Sequence, residues 1–154
     1  MSRLGKWLLA AFFGVGISTP SATASAESPN DILVVANKSV PVASVGLDEL
    51  RAIFLKKKII WPGGDKIEPI NAVAGTGLRK VFCQAVLGMV HDDELRYWQD
   101  QAVKHSITPP REEPTTGHKR LRKVFGTRGA ISYVRRKDAL KGVVKVLLVI
   151  PEVP

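Results

Sequence analysis

The stretch from Ile67 to Leu87 constrains the chain most, because a short apolar strand runs into Gly75-Thr76-Gly77 and then into a regular helical pattern. Leu78, Val81, Phe82, Ala85 and Val86 recur at i, i+3, i+4, i+7 and i+8, the apolar stripe of a helix lying on a core. Strand, glycine turn and helix in this order point to an α/β fold. Such a turn leaves the first backbone N–H groups of the helix, from Thr76 to Arg79, without partners inside it, and the helix dipole adds partial positive charge there. A small oxyanion is the natural occupant. Thr76 would add a hydroxyl and Arg79 a charge one turn in, while Gly75 and Gly77 let an anion approach the backbone with no Cβ in the way. The alternative is a plain strand-to-helix turn whose glycines only relieve backbone strain. Neither stronger phosphate fingerprint is present: Lys80 stands where a dinucleotide loop needs a third glycine, and Gly-Lys-Ser/Thr occurs nowhere.

Arg3 and Lys6, the apolar run Trp7 to Ile17 and the small residues ending in Ala24-Ser25-Ala26 read as a secretory signal peptide over residues 1–26. The apolar run is too short to span a bilayer. Residues 27–154 then suffice for one domain with a proper core and are too few for two. The formal net charge is +9, and the leader removes two basic residues and no acidic one, so the exported, periplasmic product stays strongly basic. For such a chain the expected partners are phosphate, acidic glycans or an anionic surface rather than nucleic acid. Cys83 is the only cysteine, which excludes an internal disulfide. It reads as a small buried hydrophobe, since no histidine lies near it in sequence to activate it. His91, His105 and His118 are too scattered for a metal site, and nothing calls for a cofactor.

Elsewhere, Ile32 to Ala36 is a continuous apolar run of the kind a central strand carries. Leu47, Leu50, Ile53 and Phe54 share one face of a short helix, with Asp48 and Glu49 in the first turn where the dipole favours them. Lys56, Lys57 and Lys58 are its solvated end, and Trp61 anchors by packing the turn from Trp61 to Asp65. Ile67 to Ala72 is the second strand, and Gly88 is a helix stop. A helix from Asp92 would bury Leu95, Trp98 and Ala102. Three prolines between Ile107 and Pro114 predict an irregular link. From His118 to Phe125, Leu121, Val124 and Phe125 face one way and Lys119, Arg120, Arg122 and Lys123 another. That is either a solvated helix face or a surface for anionic polymer. Ala130 to Val134 and Val143 to Ile150 complete a small mixed sheet flanked by helices.

In order and spacing, several segments resemble the periplasmic substrate-binding proteins of the phosphate ABC transporter, and more closely their short single-lobe relatives. They are Leu47 to Leu55 followed by Lys57 or Lys58 and Trp61, Ile70-Asn71, Gly75-Thr76-Gly77-Leu78-Arg79 to Phe82, Gly129 to Val134 and Val144 to Leu147. The resemblance implies a single lobe of a type II periplasmic-binding-protein-like fold. It also implies an oxyanion site at Asn71, Gly75, Thr76, Gly77, Leu78 and Arg79, no catalysis, and an ABC permease or another exported protein as partner. Where the family loop reads Arg-x-Asp-Gly-Ser-Gly-Thr, this chain has Ala72, Ala74 and Leu78 in place of the arginine, aspartate and threonine. Losing two or three charge-assisted contacts at about 1.5 to 3 kcal/mol each implies weak binding. The competing reading is a ligand-free interaction protein, docking a partner protein or an anionic envelope polymer. The leader makes one prediction directly: amino-terminal sequencing of the exported protein should find a start near Glu27, and retention of Met1 would overturn it.

Overall fold

The computed structural model describes residues 27–113, 116–140 and 142–152, so the expected leader lies outside the described residues. Five strands form one mixed sheet in the order β3-β2-β4-β1-β5. They are β1 (Ile32–Ala36), β2 (Glu68–Ala72), β3 (Arg111–Glu113), β4 (Ala130–Arg135) and β5 (Lys145–Ile150). β4 pairs parallel to β2 and antiparallel to β1, while β3 runs parallel to β2 and β5 antiparallel to β1. The unbroken apolar run of β1 is explained by its place between two strands with both faces covered. Ile32, Val34 and Ala36 meet α1 (Leu47–Phe54) and α2 (Gly77–Phe82) on one face. Leu33 and Val35 meet α4 (Gly117–Gly126) through Leu121 on the other.

The larger core layer centres on three aromatic rings. Phe82 stacks on Tyr133 at 3.6 Å, and Phe54 meets both edge-on at 4.8 and 5.6 Å. The helix after the glycine turn is not uniform: α2 runs on as a π-helical segment, Cys83–Leu87, which stops at Gly88 with φ 69° as expected. A carbonyl of its last turn, that of Val86, which has no partner inside a helix ending at Gly88, accepts a hydrogen bond of 2.8 Å from Arg51 Nε on α1. The buried face of this helix is Arg79, Phe82, Cys83, Val86 and Leu87, whereas Ala85 is exposed and Leu78 and Val81 are half-buried. The expected stripe is therefore turned by one residue, and it starts on an arginine. α3 (His91–His105) turns in the same way: Glu94 and Trp98 face inward, and Leu95 and Ala102 outward. The reason is common to both, because Arg79 and Glu94 pair in the interior and carry their helix faces with them.

Two further expectations need correction. The proline-rich link contains a strand, β3, of three residues, which survives at the sheet edge because it needs N–H groups on one side only. In α4, Arg120 is buried beside Leu121 and Val124, and Phe125 is 59% exposed. Among the described residues no helix is long and apolar enough to cross a membrane.

Trp61 anchors its turn by more than packing, since its Nε1–H donates to the Gly129 carbonyl at 2.9 Å. Gly129 has φ 72°, and a Cβ there would collide with the Lys66 carbonyl oxygen. Gly129→Ala should therefore lower the urea midpoint by an amount equivalent to about 2 to 3 kcal/mol, at unchanged denaturant dependence. A variant as stable as the parent would show that the turn is free to move.

Candidate functional site

β2 delivers the glycine turn at its carboxyl end, and the turn is held on three sides. Gly75 takes φ 79°, and its N–H donates to His91 Nε2 at 3.0 Å. Thr76 is the N-cap of α2: its hydroxyl accepts from the Arg79 N–H at 3.3 Å and donates to the Val73 carbonyl at 2.9 Å. The N–H groups of Gly77 and Leu78 have no acceptor among the described residues. Asn71 lies beneath the turn, buried, where its Oδ1 accepts from the Tyr133 hydroxyl at 3.2 Å. Of the six residues expected to form an oxyanion site, Gly77 and Leu78 thus keep open donors, and Thr76 stands beside them. Asn71 and the side chain of Arg79 are engaged in the interior, and the N–H of the exposed Gly75 is taken by His91.

Arg79 is 3% exposed. It points into the core and away from the helix N-terminus, because a carboxylate waits there. Its Nε donates to Glu94 Oε2 at 3.0 Å, its Nη2 donates to Glu94 Oε1, and its Nη1 donates to the Ala72 carbonyl at 3.0 Å. Glu94 also accepts from the Cys83 thiol at 2.8 Å and faces His91 Nδ1 at 3.3 Å. Because His91 Nε2 accepts from Gly75, the proton of its neutral ring belongs on Nδ1, aimed at Glu94. Burial alone would raise the Glu94 carboxyl, but the hydrogen bonds from Arg79 and Cys83, with the charge of Arg79, hold it below the usual glutamate range. Burial and the adjacent Glu94 push the Cys83 thiol up to about 12. Cys83, His91 and Glu94 offer ligand atoms within 4.8 Å of one another. The guanidinium already occupies both Glu94 oxygens and His91 Nε2 is taken by the Gly75 N–H, so this donor set does not fit a cation. With its proton held, Cys83 is an inert thiol, although the fold does bring a histidine near it.

In front of the turn lies a cleft of about 300 Å³, lined by Thr76, Leu78, Thr116, Gly117, Arg120, Arg135 and Asp138. It opens at the carboxyl ends of the parallel strands β2 and β4, the place where open α/β sheets take ligands. Thr116 is the N-cap of α4, and the N–H groups of Gly117 and His118 have no acceptor among the described residues. Two helix N-termini therefore face one cleft. Arg120 Nε donates to the Tyr133 carbonyl at 3.3 Å, and an Arg135 Nη1 hydrogen donates to the Asn30 carbonyl at 2.6 Å. Asp138 opposes any anion, and a Cβ on Gly117 would come within 2.6 Å of the Asp138 Cβ. The sequence reading missed the α4 end. Its signal was Thr116 just ahead of an amphipathic run, an N-cap pattern.

The buried pair makes a stability prediction. Glu94→Ala should cost about 3 to 5 kcal/mol, because it strands a buried guanidinium. A folded-state carboxyl held below its unfolded value contributes stability that is present above the ordinary glutamate range, about pH 4.3, and lost as pH falls through the depressed value. Urea titrations from neutral pH into acid should therefore show a stability loss in wild type that Glu94→Gln flattens. Identical acid profiles would assign the loss to other carboxylates.

No protein-family model matches the chain, and no curated protein matches it. Among solved structures it is similar to one described as a phosphate ABC transporter substrate-binding protein with bound phosphate from Clostridium perfringens. That match has a TM-score of 0.58 and 20% identity over 77% of this chain and 45% of the other. An ABC-type phosphate transport receptor from Vibrio cholerae gives 0.59 and 15% identity, over 79% and 47%. PstS from Borrelia burgdorferi gives 0.51 and 15%, over 69% and 44%. The chain spans less than half the length of each. At these identities the likeness establishes the fold: a mixed α/β sheet flanked by helices, corresponding to a single lobe of the periplasmic-binding type.

Proposed function

We propose that the chain is an exported, non-catalytic solute-binding-like module that takes phosphate or a related oxyanion weakly and is linked to ABC-type phosphate transport. The observation that carries this reading is the cleft between the N-termini of α2 and α4, lined by Leu78 and Gly117 with Gly77 next to Leu78 in the chain; the N–H groups of all three have no acceptor among the described residues. Helix N-termini with open donors favour negative charge. The fold likeness to solved phosphate-transport proteins, one of them holding phosphate, supports the choice of ligand.

Weak affinity follows from the same residues. Arg79 serves the core, Asp138 places a carboxylate in the cleft, and a single lobe encloses an anion from one side. Those features equally support the second reading, a scaffold that has kept the lobe and docks a partner without a ligand. Among the described residues the site contains no nucleophile with a free base beside it, which favours binding over catalysis.

Gly77→Pro separates the two. Proline at the first helical position is compatible with helix geometry, and Thr76 at φ −70°, ψ 149° already has the conformation a following proline requires. The substitution deletes one donor and should leave the fold intact. Wild type should gain about 2.7 kcal/mol of apparent stability at a phosphate concentration a hundred times its Kd, read as a rise in Tm at constant ionic strength. Gly77→Pro should reduce that rise. Thr76→Asp should abolish it, since the carboxylate still caps the helix but occupies the anion's place. A wild type that melts at the same temperature in phosphate, sulfate and chloride would leave the scaffold reading standing.

A further inference from the structure

At the opposite end of β2 lies a second surface, built differently. β3 pairs only with Ile70, Asn71 and Ala72, so Glu68 and Pro69 have β4 on one side and, among the described residues, no strand on the other. Clefts of about 370 and 390 Å³ open there, one on the α1 face of the sheet and one on the α4 face, and Glu68, Pro69 and Arg111 line both, so the sheet edge is the rim they share and the two flank a single notch there. We propose that this notch docks an extended acidic peptide segment of a partner protein, one whose carboxylates alternate with apolar side chains.

The charge lining the notch is lopsided. Lys56, Lys58, Lys66, Arg111, Lys123 and Arg128 face a single lining carboxylate, Glu68. Lys58, Lys66, Arg111 and Arg128 hold exposed or half-exposed pairs with Glu49, Glu68, Glu113 and Asp65, which exchange readily for another carboxylate. Lys56 and Lys123 make no ion pair among the described residues. Lys56 is the more demanding of the two, because partial burial disfavours its charge and the nearby Glu68, opposed by Lys66, does not fully offset this, so a bound carboxylate would favour it.

The apolar lining decides the class of partner. Ile53, Ile59, Ile67 and Pro109 line the same cleft as Lys56, and Ile59 is 55% exposed with Ile60 beside it at 47%. A phosphate polymer or a pure polyacid has nothing to bury against them. A strand-like segment with period two sends acidic side chains one way and apolar side chains the other, and so meets both. Pro69 has no N–H, the Glu68 N–H is taken by the Gly129 carbonyl and the Ile67 N–H by the Ile59 carbonyl, so the segment is held by its side chains on the two clefts rather than by pairing along β2.

The test is fluorescence anisotropy of a labelled, alternating glutamate–valine peptide against the exported chain, with oligoglutamate of equal length and linear polyphosphate as competitors. The glutamate–valine peptide should bind saturably, more tightly than either competitor, and its affinity should fall as salt rises. Lys56→Gln combined with Lys123→Gln should weaken it by about tenfold. Ile59→Asn, at an exposed position, should weaken the glutamate–valine peptide while leaving oligoglutamate unchanged. Inorganic phosphate at matched ionic strength should not displace the peptide, which keeps this surface distinct from the cleft at the glycine turn. Equal binding of oligoglutamate or polyphosphate would overturn the proposal in favour of a simple polyanion surface. Absent saturation, or variants that bind like the parent, would overturn it outright.

Discussion

The arrangement depends above all on one buried ion pair, Arg79 with Glu94. Taking both groups out of water costs several kcal/mol each, and such a pair persists only when geometry and further hydrogen bonds compensate. Here they do. The guanidinium holds both carboxylate oxygens and the Ala72 carbonyl, and the carboxylate also receives Cys83 and faces His91. The pair joins α2 to α3 and both to the end of β2. Through His91 it also reaches the Gly75 N–H, so the conformation of the glycine turn is set from within the core.

This internal use of Arg79 shapes what the turn can offer outward. A turn of this kind has few polar groups, and each serves either the scaffold or the cleft. Thr76 caps the helix, Gly75 bonds to histidine and Arg79 neutralises a carboxylate, which leaves the N–H groups of Gly77 and Leu78 without an acceptor among the described residues. The second helix terminus, at Thr116 and Gly117, meets them because α4 leads into the amino end of β4 and packs back along it, which brings the start of α4 to the carboxyl ends of the parallel strands β2 and β4. The opposite end of β2 has a different character, with lysines and isoleucines around an unpaired strand edge.

Much of the fold was legible from local pattern. The apolar run of β1, the acidic first turn of α1, the glycine stop at Gly88 and the aliphatic β5 each carry their signal within a few residues. β3 was not legible, because three charged residues beside prolines have no strand signature, and only the β2 edge makes them a strand. The faces of α2 and α3 were misread for a related reason. A pattern search places arginine and glutamate outside, and their partners lie 15 residues apart on different helices. In α4, Arg120 was misplaced in the same way, since it lies in the interior against the Tyr133 carbonyl.

By itself, then, the sequence determined the order of elements, the α/β class and the position of the glycine turn at the end of a strand, because propensity, periodicity and turn chemistry act over one or two helical turns. Tertiary structure alone decided which donors remain free. Whether an N–H or a guanidinium faces solvent depends on acceptors supplied from elsewhere in the chain, as His91 and Glu94 do for Gly75 and Arg79. It also decided that the termini of α2 and α4 share a cleft, since strand order and direction, set by pairing between distant segments, leave no trace in local pattern.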